Sequence, residues 1–159
     1  MSLIQEAFSQ IGSTGSIFVS RGDDSGTYKR ELAVWDKAEF SPEGDWYLES
    51  GQGMGATLRI ASEKRAYTLT DRATYLALLH TLDLVILLEG DPSLINPYHV
   101  MAVNPEKFSS VNSNGARAWS DFLLSSEGQA LIAQFGQEEF GIPLFIPDAG
   151  KSEDQLGGE

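Results

Sequence analysis

Residues 19–31 read Val-Ser-Arg-Gly-Asp-Asp-Ser-Gly-Thr-Tyr-Lys-Arg-Glu. A β-forming end runs through a glycine turn into a helical pattern that begins near Gly26. The first amides of a helix have no intrahelical acceptor, and the positive end of the helix dipole lies among them, so such a start attracts an oxyanion. Ser20, Ser25 and Thr27 add hydroxyl donors, and Arg21 adds a charged fork. A plainer reading of the same residues is that Asp24 or Ser25 only caps the helix. The motif alone leaves both readings open.

Working outward, the stretch sits among alternating strand and helix signals. Upstream, Ile4, Ala7, Phe8 and Ile11 have helical spacing, Gly12 to Gly15 break it, and Ser16 to Ser20 predict a short buried strand. Downstream, the pattern predicts a helix over about Ser25 to Ala38, with Tyr28, Leu32 and Trp35 inward and Lys29, Arg30 and Glu31 exposed. Trp46 to Glu49 reads as a short strand or an aromatic anchor. A helix follows over about Met54 to Lys64, with Leu58 and Ile60 or Ala61 inward, and Ala66 to Leu69 is a further strand. Asp71 caps a helix running to about Leu82. Leu84 to Leu88 and Val100 to Val103 read as strands. Helices are expected over about Asn114 to Leu124 and Ser126 to Phe135, the second opened by a Ser126-x-x-Gln129 capping pattern. Leu144 to Ile146 is a last extended piece, and Lys151 to Glu159 a frayed tail. This alternation argues for a layered α/β fold.

Composition narrows the function. Eleven basic against 23 acidic residues give a net charge of −12, which argues against a broad phosphate-contacting surface and hence against nucleic acid. It does not exclude a small anion, because surface charge is screened beyond about 8–10 Å whereas desolvated N–H groups act at contact range. There is no cysteine, so disulfides, zinc thiolates and thiol nucleophiles are excluded. Met1 to Gly12 carries neither a basic leader nor a long apolar run, and the apolar run at 82–88 is too short to span a bilayer.

Other candidate sites read more simply as structure. Gly51-Gln-Gly-Met-Gly55 lacks the Lys-Ser/Thr of a phosphate loop. His80 and His99 have no second ligand at metal spacing. Glu89 and Asp91 bracket a turn after an apolar run, which explains them better than acid/base work does. No serine stands in a Gly-x-Ser-x-Gly elbow. Thr70 stands where a strand ends and a helix begins, the usual place for ligands in α/β sheets. Asp71 beside it is expected to pair with Arg72 or Arg21, unless Arg72 is simply solvated.

Five blocks then occur in order: Ser-Arg-Gly-Asp-Asp-Ser-Gly-Thr at 20–27, Trp-Tyr-Leu-Glu-Ser-Gly-Gln-Gly-Met-Gly-Ala-Thr-Leu at 46–58, Ala-Tyr-Thr-Leu-Thr-Asp-Arg at 66–72, Glu-Gly-Asp at 89–91 and Asn-Pro-Tyr at 96–98. With these blocks the chain, from about Gly15 to Pro147, resembles the tungstate-binding solute receptors of ABC importers. That family is a branch of the periplasmic binding protein superfamily, which includes molybdate and sulfate receptors. Two departures stand out. The family motif usually continues with His after Ser-Gly-Thr, where this chain has Tyr28, and a full receptor begins with a further lobe whose Thr/Ser-rich loop has no counterpart here.

The resemblance implies an α/β, periplasmic-binding-protein-like (type II) second lobe over residues 1–95 carrying the anion loop. Residues 96–148 would be the returning strand and C-terminal helices of the first lobe, and 149–159 a flexible tail. It implies a substrate-binding component, not an enzyme, that delivers tungstate or molybdate to an ABC permease from the periplasm or another extracytoplasmic space. The ligand would be held by Ser20, Arg21, Ser25, Gly26 and Thr27, with Met54, Gly55 and Thr70 as further donors. Met54 and Gly55 enter by analogy with molybdate receptors, as a second helix start facing the cleft. The glycines around them read equally well as a tight turn. No cofactor, catalytic residue or metal-ligating side chain is implied, because the metal arrives wrapped in oxygen. Without its first lobe the chain is expected to bind weakly or to dimerise over its exposed faces. The rival reading is a ligand-free interaction or sensor module built on the same lobe.

Overall fold

The computed structural model describes residues 2–152 and 155–156. They divide into two units, Met1–Leu94 and Ile95–Glu159.

The first unit is organised around β1 (Phe18–Ser20), all three of whose residues are buried. β1 pairs in parallel with β2 (Tyr47–Glu49) in the register Phe18↔Tyr47, Val19↔Leu48 and Ser20↔Glu49. On its other edge Phe18 makes a parallel bridge to Tyr67, and the Val19 amide donates to Tyr67 O at 2.8 Å. The predicted strand at 66–69 is thus reduced to a bridge beside β1. Alternation of side chains sends Phe18 and Val19 to opposite faces. Phe18 meets Phe8 of α1 (Leu3–Thr14) and Trp35 of α2 (Gly26–Lys37), with ring centroids 5.4 and 5.3 Å away. Val19 packs with Ala61 of α3 (Met54–Lys64) and with Ala66. Layers on both faces explain why this strand is apolar in its first two residues.

α2 is rotated from its sequence expectation. Its buried residues are Glu31, Val34 and Trp35, while Leu32 is 39% exposed. In α3 the inward face is Met54, Thr57, Leu58 and Ala61. α4 (Arg72–Leu78) stops short of Leu82 and gives way to a 3₁₀ turn over Leu79–Thr81. Asp71 caps α4 by accepting the Thr74 amide at 2.8 Å. Its expected partners go elsewhere, Arg72 to Glu89 at 2.9 Å and Arg21 to Asp23 at 2.5 Å. Asp91 accepts the Ile4 amide at 3.1 Å, so the turn after the apolar run holds the start of α1.

The strand expected at 84–88 is absent. Val85 and Leu87 are 75% and 71% exposed. The segment is held instead by the Asp83 amide donating to Ser62 Oγ and the Tyr75 hydroxyl donating to Leu84 O. β-propensity makes a strand only where a neighbour offers a ladder.

The second unit contains α5 (Ser113–Leu124), α6 (Ser126–Gln134) and the single turn α7 (Gln137–Phe140), which the sequence pattern did not predict. The strand expected at 100–103 and the extended piece at 144–146 are irregular. α6 is capped by Ser125 rather than Ser126. Ser125 Oγ accepts the Gly128 amide at 3.1 Å, and Gln129 donates to Leu123 O. Gly128 is the one buried residue of this unit among those described; a Cβ there would lie 2.1 Å from Phe122 O. Of the predicted tail, residues 153, 154 and 157–159 lie outside the described residues.

Candidate functional site

Three parallel segments of the first unit, ending at Ser20, Glu49 and Thr70, each lead directly into a helix: α2, α3 and α4. Helix starts therefore gather at the carboxyl end of the strands, where α/β sheets hold ligands. The first two turns are tied together by main-chain bonds. The Ser50 amide donates to Ser20 O and the Gly51 amide to Arg21 O, both at 2.9 Å. Ser50 Oγ also bonds Arg21 O and meets Thr57 Oγ1, which stitches the turn to α3.

At the start of α2, Ser25 Oγ accepts the Tyr28 amide at 3.2 Å, and Asp23 Oδ1 accepts the Ser25 amide at 3.1 Å. The Gly26 and Thr27 amides find no acceptor among the described residues, and neither do those of Met54 and Gly55 at the start of α3. Arg21 is largely covered. Its Nη2 meets Asp23, and its Nε is buried without a partner. Hydrogen bonds from Ser25, and then the Arg21 guanidinium, hold the Asp23 carboxyl below the ordinary carboxylate range.

Ser20 departs most from its sequence reading. It is fully buried, and its hydroxyl donates inward to Glu31 Oε2 at 2.9 Å. Glu31 was missed as a feature of the site because the Lys29-Arg30-Glu31 run reads as a solvated face. Its signal was the i,i+4 spacing to Trp35, whose indole N–H donates to Glu31 Oε1 at 3.3 Å; the Tyr47 hydroxyl donates to the same oxygen at 2.7 Å. Burial pushes the Glu31 carboxyl up, against the lowering effect of these three bonds. Burial likewise raises the Tyr47 phenol, with the Glu31 charge adding to it. Tyr28 donates to Glu49 Oε1 at 2.8 Å, and that bond raises its phenol.

The structure thus brings Ser20, Arg21, Ser25, Gly26 and Thr27 into one turn and sets Met54 and Gly55 at the start of the adjoining helix. The Met54 side chain itself lies inward with Leu58 and Tyr75, so only its main chain faces the turn region. Thr70 closes the third segment, and its hydroxyl donates to Asp71 O at 3.1 Å. Among the described residues no group of three or more His, Asp or Glu side chains is placed to hold a metal ion, and no helix is long and apolar enough to cross a membrane.

The profile of the PBP superfamily domain matches residues 2–127. The chain belongs to that family. As a PBP domain it is 48% identical over 134 residues to the tungstate-binding protein TupA of Peptoclostridium acidaminophilum, a match that covers 84% of this chain and 47% of the relative. Among solved structures, the tungstate ABC transporter protein from Geobacter sulfurreducens superimposes with a TM-score of 0.76 at 45% identity, over 82% of this chain and 56% of the other. The tungstate-binding protein TupA from Desulfovibrio alaskensis G20 does so with a TM-score of 0.74 at 35% identity, over 92% and 60%. The α/β fold expected from sequence is thus the PBP-like fold of these neighbours. The chain spans about half the length of the curated relatives it matches.

Proposed function

We propose that this PBP domain is the anion-binding part of an ABC importer's substrate receptor, and that its ligand is tungstate or molybdate. It binds and releases its ligand without chemical conversion, works outside the cytoplasm and hands the anion to a permease. Residues 1–95 form the lobe that carries the anion loop; residues 96–148 return to a first lobe. The observation that carries the reading is the pair of adjoining helix starts whose amides at Gly26, Thr27, Met54 and Gly55 lack protein acceptors, beside the covered guanidinium of Arg21. The hydroxyls of Ser25 and Thr27 lie on the same turn, Ser20 braces it from within, and Thr70 stands at the neighbouring segment's end.

Such a site selects by cavity size and donor count, since sulfate, molybdate and tungstate are all dianions. A donor left unpaired by a smaller anion costs about 1–3 kcal/mol, enough for roughly ten- to hundredfold discrimination. A thermal-shift screen with tungstate, molybdate, sulfate, phosphate and chromate tests the reading. An anion at a hundred times its Kd adds about 2.7 kcal/mol of stability, and tungstate or molybdate should give the largest shift. The screen is run on this chain and on a two-lobed form that includes it, and no shift with any of the five in either would sink the proposal. In a two-lobed form, removing the charge-assisted bonds of Arg21 with Arg21→Ala should weaken binding by about ten- to a hundredfold in calorimetry, and an unchanged affinity would remove Arg21 from the site.

A further inference from the structure

A relay of hydrogen bonds with only one allowed direction runs behind the anion turn. The Gly22 amide, which can only donate, reaches Ser20 Oγ at 3.2 Å. Ser20 must then send its own hydrogen elsewhere, and with the residue fully buried the acceptor at hand is Glu31 Oε2, 2.9 Å away. The second carboxylate oxygen is engaged by Trp35 Nε1, again donor only, and by the Tyr47 hydroxyl. From the opposite side, the carbonyls of Ser20 and Arg21 are gripped by the Ser50 and Gly51 amides.

We propose that Glu31 is the positioning residue of this turn: by taking the Ser20 hydroxyl hydrogen it points that oxygen's lone pairs at the Gly22 amide, and so fixes the backbone that offers Arg21 to an oxyanion. Its part in ligand binding rests on the receptor reading above. Its part in fixing the turn does not. An amide cannot replace the carboxylate, because it has one accepting end where the relay needs two. With its oxygen toward Trp35 and Tyr47, its NH₂ faces Ser20, whose oxygen then meets two donors, the NH₂ and the Gly22 amide, while its own hydrogen has no acceptor; in the other orientation the NH₂ opposes the Trp35 N–H. Either way one donor is stranded, the Ser20 hydrogen or the Trp35 N–H, and the clash at Trp35 favours stranding the Ser20 hydrogen, which frees that hydroxyl to turn away from Gly22.

The test uses the full chain as wild type, Glu31→Gln, Ser20→Ala and the double variant. Sodium tungstate binding is read by calorimetry, and Gly22 amide exchange is read by NMR without tungstate. Each single variant should weaken tungstate about tenfold, and the double variant should be no weaker than either, since both break one relay. Gly22 exchange should quicken about tenfold or more in all three, while the Tyr28 amide, held by Ser25, stays as in wild type. Tyr47→Phe, which removes a different bond to the same carboxylate, should leave Gly22 exchange unchanged. A folded Glu31→Gln chain with wild-type Gly22 exchange, or losses that add in the double variant, would overturn the proposal. If Glu31→Gln does not fold, the wild type still decides: a slowly exchanging Ser20 hydroxyl proton close to the Glu31 side chain is required, and its absence is equally fatal. If the wild type takes up no tungstate while Gly22 exchange responds as described, the receptor reading fails and the positioning role stands.

Discussion

At Glu31 burial and hydrogen bonding oppose each other, and burial wins, so the folded-state pKa lies above the ordinary carboxylate value. Stabilisation from such a group is complete below the unfolded pKa and is lost as pH rises through the folded one. Relative to Glu31→Gln, wild type should therefore lose stability as pH rises from the ordinary carboxylate range through the raised folded value, whatever the constant offset between the two. Urea midpoints measured in parallel check this, and parallel curves would contradict it. Asp91 behaves in the opposite sense. Hydrogen bonds from Ser93, and then from Ile4, lower its carboxyl, so its contribution is present above the ordinary carboxylate range and fades as pH falls through the depressed value. Because it satisfies an amide in the first turn of α1, Asp91→Ala should cost about 1–2 kcal/mol in urea unfolding at neutral pH. A loss within experimental error would mean that water replaces the carboxylate there. The sequence marked Asp91 as a turn residue, but its tie to Ile4 crosses 87 positions and leaves no local trace.

At the scale of elements, the turn between β1 and α2 shows what was legible. Its glycine, its cap and the helix after it follow from residues 19–31, because turn and capping chemistry are local. Gly22 sits at φ +60°, and a Cβ there would lie 2.6 Å from Glu49 Cβ on β2. Gly22→Ala therefore combines backbone strain with a clash and should destabilise by about 1–3 kcal/mol, with tungstate affinity falling in the same variant. A variant as stable as wild type would show that the turn has another conformation at little cost. The inward face of α2 was misread by one position. Tyr28, Leu32 and Trp35 fit a helical stripe, yet the structure buries Glu31 with Val34 and Trp35, because Ser20 and Tyr47 supply the donors a carboxylate needs inside. Periodicity cannot see partners on other strands. The apolar run at 84–88 failed as a strand for the same reason, since a ladder requires an adjacent edge.

At the scale of the whole molecule, the two units differ in how much apolar surface they cover. The first buries Ile4, Phe8, Phe18, Val34 and Trp35 in one cluster. In the second, Met101, Trp119, Leu131 and Phe135 are 84%, 59%, 56% and 61% exposed. Local opening is easiest where few apolar contacts resist it. Amides of α5 and α6 should therefore exchange well before those of β1 and α3 in native-state hydrogen exchange, and equal protection would mean that the second unit draws stability from burial beyond that described. By itself the sequence determined the alternation of helix with short strand, the helix starts at Gly26 and Met54, and the ordered blocks that led to the PBP family, all carried by neighbouring residues or fixed spacing. Only the tertiary structure decided that Ser20 faces inward, that Asp23 holds Arg21, that Glu31 lies behind the turn and that Leu84 to Leu88 pairs with no strand. Each of these depends on which distant group supplies a hydrogen bond or covers a face, and a single strand of sequence does not record that.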